Sequence, residues 1–472
     1  VFLVSDNAIV GGAVALVLSI SCLYGYVQIK ADGVRRIVGA ASVFVAYWLI
    51  GPFVLLHVVG MLAYEIVVRR SLSPVFIASV VLIALLSPVV SHLFVPVRYP
   101  EFFYGIHYGR VPGDVAWWLW SADLLLCVMV VLAAMSTYLR PLGAKMNLGL
   151  SAVLVVILSL VGVKMVSSVR NDVIERTLMY DKLYVDAEYD KIIAECSKEL
   201  PTDAFTALVY NNLALAQKCL LLEDMFTFPQ IGITGLIPEY EGGYFSQIAC
   251  AEVLMQIGFV SSAHRLFFEA QESVPAHRKT VRCYKAMART NIIMGYEESA
   301  RKYLEALSHT LFYKHWAKET LALLGDEKAI GEHPIYGAIR GRMPRNFDML
   351  FNVDNLTRAL GMLCLENPGN IIGIQYLLGY CLIKGDLNSF ATFYSSANFK
   401  EQPRACQEAA AMIPGHPKAT EGAVNRFRQF NLDIQQKKDA SYLKRTYGDS
   451  YWYYYSMMQA LNAQQQNTQK QN

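Results

Sequence analysis

Apolar residues run almost without interruption through the first third of the chain and become periodic after Ser168. Five apolar stretches precede this boundary, at 8–27, 37–68, 75–97, 115–138 and 147–168. Each reaches or exceeds the roughly 20 residues that a helix needs to cross the hydrocarbon core of a bilayer. We therefore expect residues 1–168 to form a multi-span transmembrane helix bundle that contacts membrane lipid.

The second stretch contains Gly51 and Pro52 at its middle, where proline removes a backbone donor and clashes with the preceding turn. Segment 37–68 is therefore either one long kinked helix or a hairpin. Basic clusters favour the hairpin, because the positive-inside rule then places all of them in the cytoplasm: Lys30, Arg35, Arg36, Arg69, Arg70, Arg140 and Lys145. This topology predicts a multi-pass protein of a bacterial inner membrane whose remaining chain is periplasmic. A straight helix would place that chain in the cytoplasm.

From residue 169 to about 460, apolar positions recur at helical spacing and turn residues recur every 15 to 20 positions. One stretch resembles the second helix of a tetratricopeptide repeat and the turn beyond it, with small, aromatic and proline residues at the required offsets: Gly258, Ala263, Phe267, Ala270 and Pro275. A second unit follows 37 residues on, with Tyr284, Ala288, Gly295 and Ala300. Stacked helix pairs of this kind form an α-solenoid that binds proteins. We predict an all-α chain with a tetratricopeptide-like α-solenoid over 169–460.

Other features of this region have ordinary structural interpretations. We expect His315 and Trp316 to pack at a repeat junction, and the basic residues Arg340, Arg342 and Arg345 to lie on a solvated face rather than to bind phosphate or lipid headgroups. The aromatic segment Tyr447 to Tyr455 is expected to cap the solenoid rather than to dock on the membrane interface or bind a partner. The polar segment 461–472, rich in glutamine and asparagine, is predicted to be disordered because it cannot bury enough apolar surface.

Composition limits the chemistry further. The chain has 472 residues, 54% of them hydrophobic and 17% charged, and a net charge of +3, which gives no basis for nucleic-acid binding. Its nine cysteines never occur as Cys-x-x-Cys, which argues against zinc ribbons and thioredoxin-type sites. We predict no metal site and no cofactor.

No complete catalytic motif is present. Polar residues within the apolar stretches are costly in lipid and normally face a bundle interior or a cavity. The catalytic candidates are Asp123, His92 and Asp114. Asp123 follows the cluster Trp117 to Trp120 and could lie at the base of an outward-facing cavity, but we favour a structural pair with His92 or Lys164.

Several segments together look like a family of uncharacterised polytopic membrane proteins found in the Bacteroidota. They are Asn211 to Lys218, Met225-Phe226, Lys314 to Ala317, Leu324 to Asp326 and Gly448 to Tyr454. Members of that family typically begin with one further membrane segment and an outward loop, and since this chain opens at Val1 directly into an apolar run, we expect upstream residues. The resemblance implies architecture and lineage, and it transfers no catalytic residues.

Two functions are compatible with this organisation. The first is a membrane-anchored scaffold or adaptor whose repeats bind partner proteins of an envelope complex. The second is a GT-C-like glycosyltransferase or oligosaccharide ligase that uses a polyprenyl-linked glycan, with the repeats presenting the acceptor. Such enzymes need an acidic pair on their first outward loop, and no such pair is visible here. We favour the adaptor.

Overall fold

The computed structural model describes residues 7–71, 73–94, 117–135, 143–169, 172–198, 205–239, 243–273, 279–344 and 355–469. Every regular element within these ranges is a helix, which confirms the predicted all-α class. The helices up to Val169 belong to one compact unit, and those from Asp172 onward belong to a second. We call them the N-terminal unit and the C-terminal unit.

The N-terminal unit contains six α-helices and two short irregular helical segments among its described residues. The α-helices are α1 (Asn7–Gln28), α2 (Asp32–Ile50), α3 (Leu55–Ala63), α4 (Pro74–His92), α5 (Trp117–Met135) and α6 (Ala144–Val169). A 3-10 turn, Gly51–Val54, precedes α3, and a π-helical turn, Tyr64–Val68, follows it. By length and composition, α2 and α4 could each cross a membrane, and shorter apolar helical segments accompany them.

The chain reverses direction within the second apolar stretch. Helix α2 ends at Gly51, whose φ of 61° lies in a region that favours glycine. Asp32 at the start of α2 then meets Arg69, which follows the π-helical turn, at 2.8 Å. The two arms of this hairpin therefore begin and end at the same place.

Glycines allow close packing inside the N-terminal unit. A Cβ at Gly60 on α3 would stand 2.7 Å from a methyl group of Leu23 on α1, closer than real Cβ atoms approach. Helix α1 thus packs directly on the hairpin, and the core between them includes Tyr26, Val43 and Met61. An alanine at Gly60 would require the Leu23 side chain to move.

The C-terminal unit consists of eighteen α-helices among its described residues. They are α7 (Asp172–Val185), α8 (Tyr189–Lys198), α9 (Phe205–Gln217), α10 (Leu221–Asp224), α11 (Tyr244–Ile257), α12 (Val260–Glu272), α13 (Val281–Met294), α14 (Glu297–Ser308), α15 (Lys314–Leu323), α16 (Glu327–Glu332), α17 (Tyr336–Arg340), α18 (Leu356–Glu366), α19 (Ile371–Lys384), α20 (Leu387–Ser396), α21 (Arg404–Ala411), α22 (Glu421–Gln435), α23 (Ala440–Tyr447) and α24 (Tyr451–Gln469).

Two pairs of consecutive helices in this unit are joined by tight glycine turns. Gly258 has a φ of 118° and ends α11 only two residues before α12 begins. Its missing side chain also leaves room for the backbone carbonyl of Arg342. Gly295, with a φ of 82°, separates α13 from α14 in the same way. Both turns need glycine because other residues rarely adopt such φ values.

The predicted repeat positions are mostly core positions. Ala263, Phe267 and Ala270 on α12 and Ala288 and Ala300 on the next two helices are fully buried. Tyr284 is half-buried and its ring contacts Tyr303 edge-on. Pro275 lies outside the described residues.

Part of the C-terminal aromatic segment is buried, whereas Tyr453, Tyr454 and Tyr455 are partly exposed. Tyr451 and Trp452 are almost completely inaccessible, and the Trp452 indole donates to the Glu408 carbonyl oxygen at 2.7 Å. The helix that starts at Tyr451 continues to Gln469. The helix therefore includes most of segment 461–472, which we predicted to be disordered. No glycine or proline occurs in that segment to end the helix.

Candidate functional site

A buried charge network lies between α7, α11 and α13. Arg282 donates to Asp181 through Nε at 3.1 Å and through Nη2 at 2.9 Å, and to Glu252 Oε1 at 2.7 Å. The Tyr210 hydroxyl donates to Asp181 at 2.7 Å. Because both carboxylates receive charge-assisted hydrogen bonds from one guanidinium, the network holds the three helices together.

Further cations extend from this network. Lys285 and Arg289 lie one and two turns beyond Arg282 on α13, and Arg289 approaches Glu252 at 4.0 Å. The Lys285 ammonium stands 5.1 Å from the ring centres of both Tyr313 and Trp316. Among the described residues, no carboxylate lies within ion-pair distance of Lys285. The aromatic faces stabilise its charge only in part.

Arg342 brings a fourth cation to the same place from the segment after α17. Its guanidinium donates to the side-chain oxygen of Gln256 at 2.8 Å and to the backbone oxygen at 3.2 Å. Gln256 belongs to the last turn of α11, where carbonyl oxygens have no helical partner. Arg342 thus satisfies a helix end without a carboxylate partner in the described part of the chain.

These cations line a pocket of about 190 Å³ within the C-terminal unit. Its charged lining residues are Lys285, Arg289 and Arg342. Its apolar and aromatic lining residues are Tyr189, Trp316, Ile335, Tyr336, Ala338 and Ile339. A pocket of this kind suits a group that carries both negative charge and apolar surface.

Two polar groups of the lining lack partners. Tyr184 is 5% exposed, and its hydroxyl has no hydrogen-bond partner among the described residues. The amide nitrogen of Gln217 is shielded from solvent and equally unpartnered. Burial raises the pKa of Tyr184 well above its usual range, so the hydroxyl keeps its proton and can donate. A buried donor without an acceptor is costly, which makes this pocket the candidate binding site.

The cations modify each other's ionisation. Burial, reinforced by Arg289 and Arg282, lowers the pKa of Lys285 to about 8. Burial also lowers the pKa of Arg342. Both shifts mean that the charged forms are incompletely compensated within the protein, and an anion in the pocket would stabilise them.

Of the predicted catalytic residues, only His92 has a described side chain. Asp123 lies on α5, where only its place on the helix is described, and His92 ends α4 with an exposed side chain. Asp114 lies outside the described residues. No cluster of metal-ligating side chains occurs within the described ranges.

Two interpretations of the repeat region need correction. His315 is not packed at a junction, because it is 88% exposed and paired with Glu319. Arg340 and Arg342 do not lie on a solvated face: Arg340 donates to the carbonyl oxygens of Ile292 and Ile293 at the end of α13, and Arg342 does the same for α11. Helix ends attract cations because their last carbonyls are unpaired. Arg345 lies outside the described residues.

The spacing of three basic residues in the sequence could have indicated this site, which the repeat pattern alone does not. Arg282, Lys285 and Arg289 are spaced by three and four residues, so they share one face of α13. Three cations on the buried face of a helix require compensation from elsewhere. Only the fold shows that compensation comes from Asp181, about one hundred residues earlier.

The chain matches a protein family over nearly its whole length. A model described as a family of unknown function (DUF6057) matches residues 1–458. No curated protein and no solved structure matches the chain.

Proposed function

The chain belongs to the DUF6057 family, whose function is unknown, and we propose that it is a membrane-anchored helical-repeat adaptor that binds a partner protein of an envelope complex. The observation that carries this proposal is the pocket of the C-terminal unit, which has unmatched positive charge, unpartnered polar groups and an apolar wall. Such a combination is suited to holding part of another molecule.

The arrangement of helices supports a tetratricopeptide-like repeat as the basis of this function. Gly258 forms the short turn between α11 and α12, and Gly295 forms the one between α13 and α14, with alanines and Phe267 buried in these helices. In repeat proteins of this kind, each helix pair contributes a few side chains to a shared binding surface. The pocket resembles such a surface, because the residues that line it come from helices far apart in sequence.

The N-terminal unit supports a membrane anchor. Helices α2 and α4 have the length and hydropathy of membrane-spanning segments. Reversal of the chain at Gly51 brings the basic residues near the start of α2 and those after Val68 to one end, as the positive-inside rule requires for a cytoplasmic face. Counting the remaining apolar stretches from there, we propose a periplasmic C-terminal unit at a bacterial inner membrane.

Photocrosslinking in native membranes tests the adaptor function. We would place p-benzoylphenylalanine at Ala338 in the pocket and, as the matched control, at the exposed Lys318 on α15. We expect one protein to crosslink to the first position and not to the second. Equal crosslinking at both positions, or none at either, would reject the proposal. A polyprenyl-linked lipid captured at Ala338 would instead support the transferase.

An exposed native thiol tests the proposed side of the membrane. Cys219 is exposed, whereas the other cysteines of the C-terminal unit are buried or half-buried. A membrane-impermeant maleimide should label the full chain in intact spheroplasts and should not label a Cys219→Ser variant. Labelling only in inverted vesicles would place the C-terminal unit in the cytoplasm and refute this topology.

A further inference from the structure

The charges around the pocket do not balance. Four cations, Arg282, Lys285, Arg289 and Arg342, meet only two buried carboxylates, Asp181 and Glu252. Both carboxylates are already engaged by Arg282. Since burying an uncompensated charge is expensive, the positive excess is better explained by a ligand than by stability of the free protein.

The unpartnered hydroxyl of Tyr184 supplies a directional hydrogen-bond donor beside the cations. Tyr184 is buried and contacts the rings of Tyr189 and Tyr210, so its position is fixed by packing. Its hydroxyl and the Gln217 amide supply donors without acceptors beside the cations. Neutral donors and cations together are the groups that recognise carboxylate and phosphate oxygens.

We propose that this pocket binds an oxyanion, a carboxylate or a phosphate group, through Lys285, Arg289, Arg342 and the Tyr184 hydroxyl. The volume of about 190 Å³ admits one such group together with a few apolar atoms against Trp316 and Ile339. The inference rests on the proposed function, because it names the chemistry of the part of a partner that enters the same pocket.

Binding to simple probes tests the inference without a partner protein. The full chain in detergent is titrated at constant ionic strength with sodium phosphate, and separately with acetyl-Leu-Leu-Leu bearing a free carboxylate or an amide. We expect phosphate, the free-carboxylate peptide or both to raise the melting temperature relative to chloride. A phosphate response identifies phosphate as the source, and a response to the free carboxylate but not the amide identifies a chain end. Equal effects of the peptide acid and amide without a phosphate effect would overturn the inference.

Two substitutions locate the effect in the pocket. Lys285→Met keeps the apolar packing and should weaken anion binding at least tenfold, whereas Lys302→Met on the exposed face of α14 should leave binding unchanged. Tyr184→Phe should weaken binding several-fold while leaving the unliganded melting temperature unchanged or higher, because it removes an unpartnered hydroxyl. Unaltered binding in both pocket variants would overturn the inference.

The pocket test and the crosslinking test fail separately. Anion binding without a crosslinked protein would leave the oxyanion site intact and reject the adaptor. A crosslinked protein without any charge-dependent binding would support the adaptor and reject the oxyanion site. The two proposals therefore remain distinguishable.

Discussion

Both units of the molecule bury an arginine, and they compensate it differently. In the N-terminal unit, Arg35 is 1% exposed and lies 2.8 Å from both Glu65 and Asp32. Its neighbours Arg36 and Arg69 each have a carboxylate within 3.5 Å. In the C-terminal unit, Arg282 is equally well paired, but Lys285 and Arg342 have no carboxylate partner among the described residues. The first network is closed, and the second remains open toward a pocket.

This difference separates a structural role from a binding role. In the closed network every arginine has a carboxylate partner, and these pairs tie helix α2 to the segment after α3. An open network retains charge that burial penalises, and such retention is expected where another molecule supplies the balance. The following substitutions should break or sharpen the contrast, beginning with the largest effect.

Replacing Arg282 should cost the most. Arg282→Met leaves Asp181 and Glu252 buried without their main partner, so we expect the free energy of unfolding to fall by about 3–5 kcal/mol. Urea unfolding of the full chain in detergent, followed by intrinsic tryptophan fluorescence, measures this loss. The control is Lys198→Met, whose ion pair with Glu195 is exposed and should contribute less than about 0.5 kcal/mol. Similar losses in both variants would show that the network is not structural.

Breaking the closed network should cost less. Glu65→Gln keeps an acceptor for Arg35 and for the Tyr26 hydroxyl, and Asp32 still pairs with Arg35. We expect a loss of about 1–3 kcal/mol, seen as a lower melting temperature of the detergent-solubilised chain. Anion binding should not change. If this variant reduced phosphate or peptide binding, the distinction between the two networks would fail.

The sequence predicted much of the fold and little of the site. Helical class follows from periodicity alone, and the glycine turns at Gly258 and Gly295 follow from the repeat pattern because their backbone requirements are local. The pocket depends on contacts between distant segments, such as Arg282 with Asp181 and Arg342 with Gln256. Periodicity shows that a residue faces the core but not which residue it meets there. We did not predict from the sequence that the last helix extends to Gln469. A polar composition indicates that a segment has little apolar surface to bury, but it does not exclude a helical backbone.

A third buried ionisable group, Glu408, tests the cost of burying a carboxylate that has no ion pair among the described residues. Glu408 is 3% exposed, accepts from the Tyr451 backbone at 2.7 Å, and has a pKa that burial raises to about 7. The folded state therefore binds more protons than the unfolded state between about pH 4.5 and 7, and stability should fall as pH rises through this range.

Glu408→Gln should remove this dependence and raise the free energy of unfolding at pH 8 by about 1–2 kcal/mol. Thermal unfolding between pH 5 and 8 checks both effects. The matched comparison is Glu195→Gln, an exposed carboxylate that should change neither the midpoint nor its pH dependence. If the difference in free energy of unfolding between the wild type and Glu408→Gln is the same at pH 5 and at pH 8, the raised pKa of Glu408 is contradicted.

The smallest change in the free energy of unfolding should come from replacing Lys285. Whether that change is a gain or a loss shows whether the charge of Lys285 is uncompensated in the free protein. Burial lowers the Lys285 pKa to about 8 from its usual 10.5, so the folded state binds fewer protons than the unfolded state between these values. The Lys285 contribution to stability should therefore increase as pH rises from about 8 to 10.5 and be lost as pH falls through 8. The charged groups that act on it lie on its own helix and on neighbouring segments: Arg282, Arg289, Asp186 and Glu252, with the Tyr313 ring.

Without a ligand, Lys285→Met should consequently raise the free energy of unfolding by about 1 kcal/mol at pH 7, and the gain should shrink by pH 10. The difference between the two chains is the quantity to measure, because the tyrosines titrate equally in both. With saturating phosphate or free-carboxylate peptide, the order should reverse, since only the wild type gains stability from the anion. A residue that destabilises the free protein and stabilises the complex is there for binding. If the Met variant is less stable than the wild type in the absence of anions, Lys285 is a structural residue. The interpretation of the second network as open is then wrong.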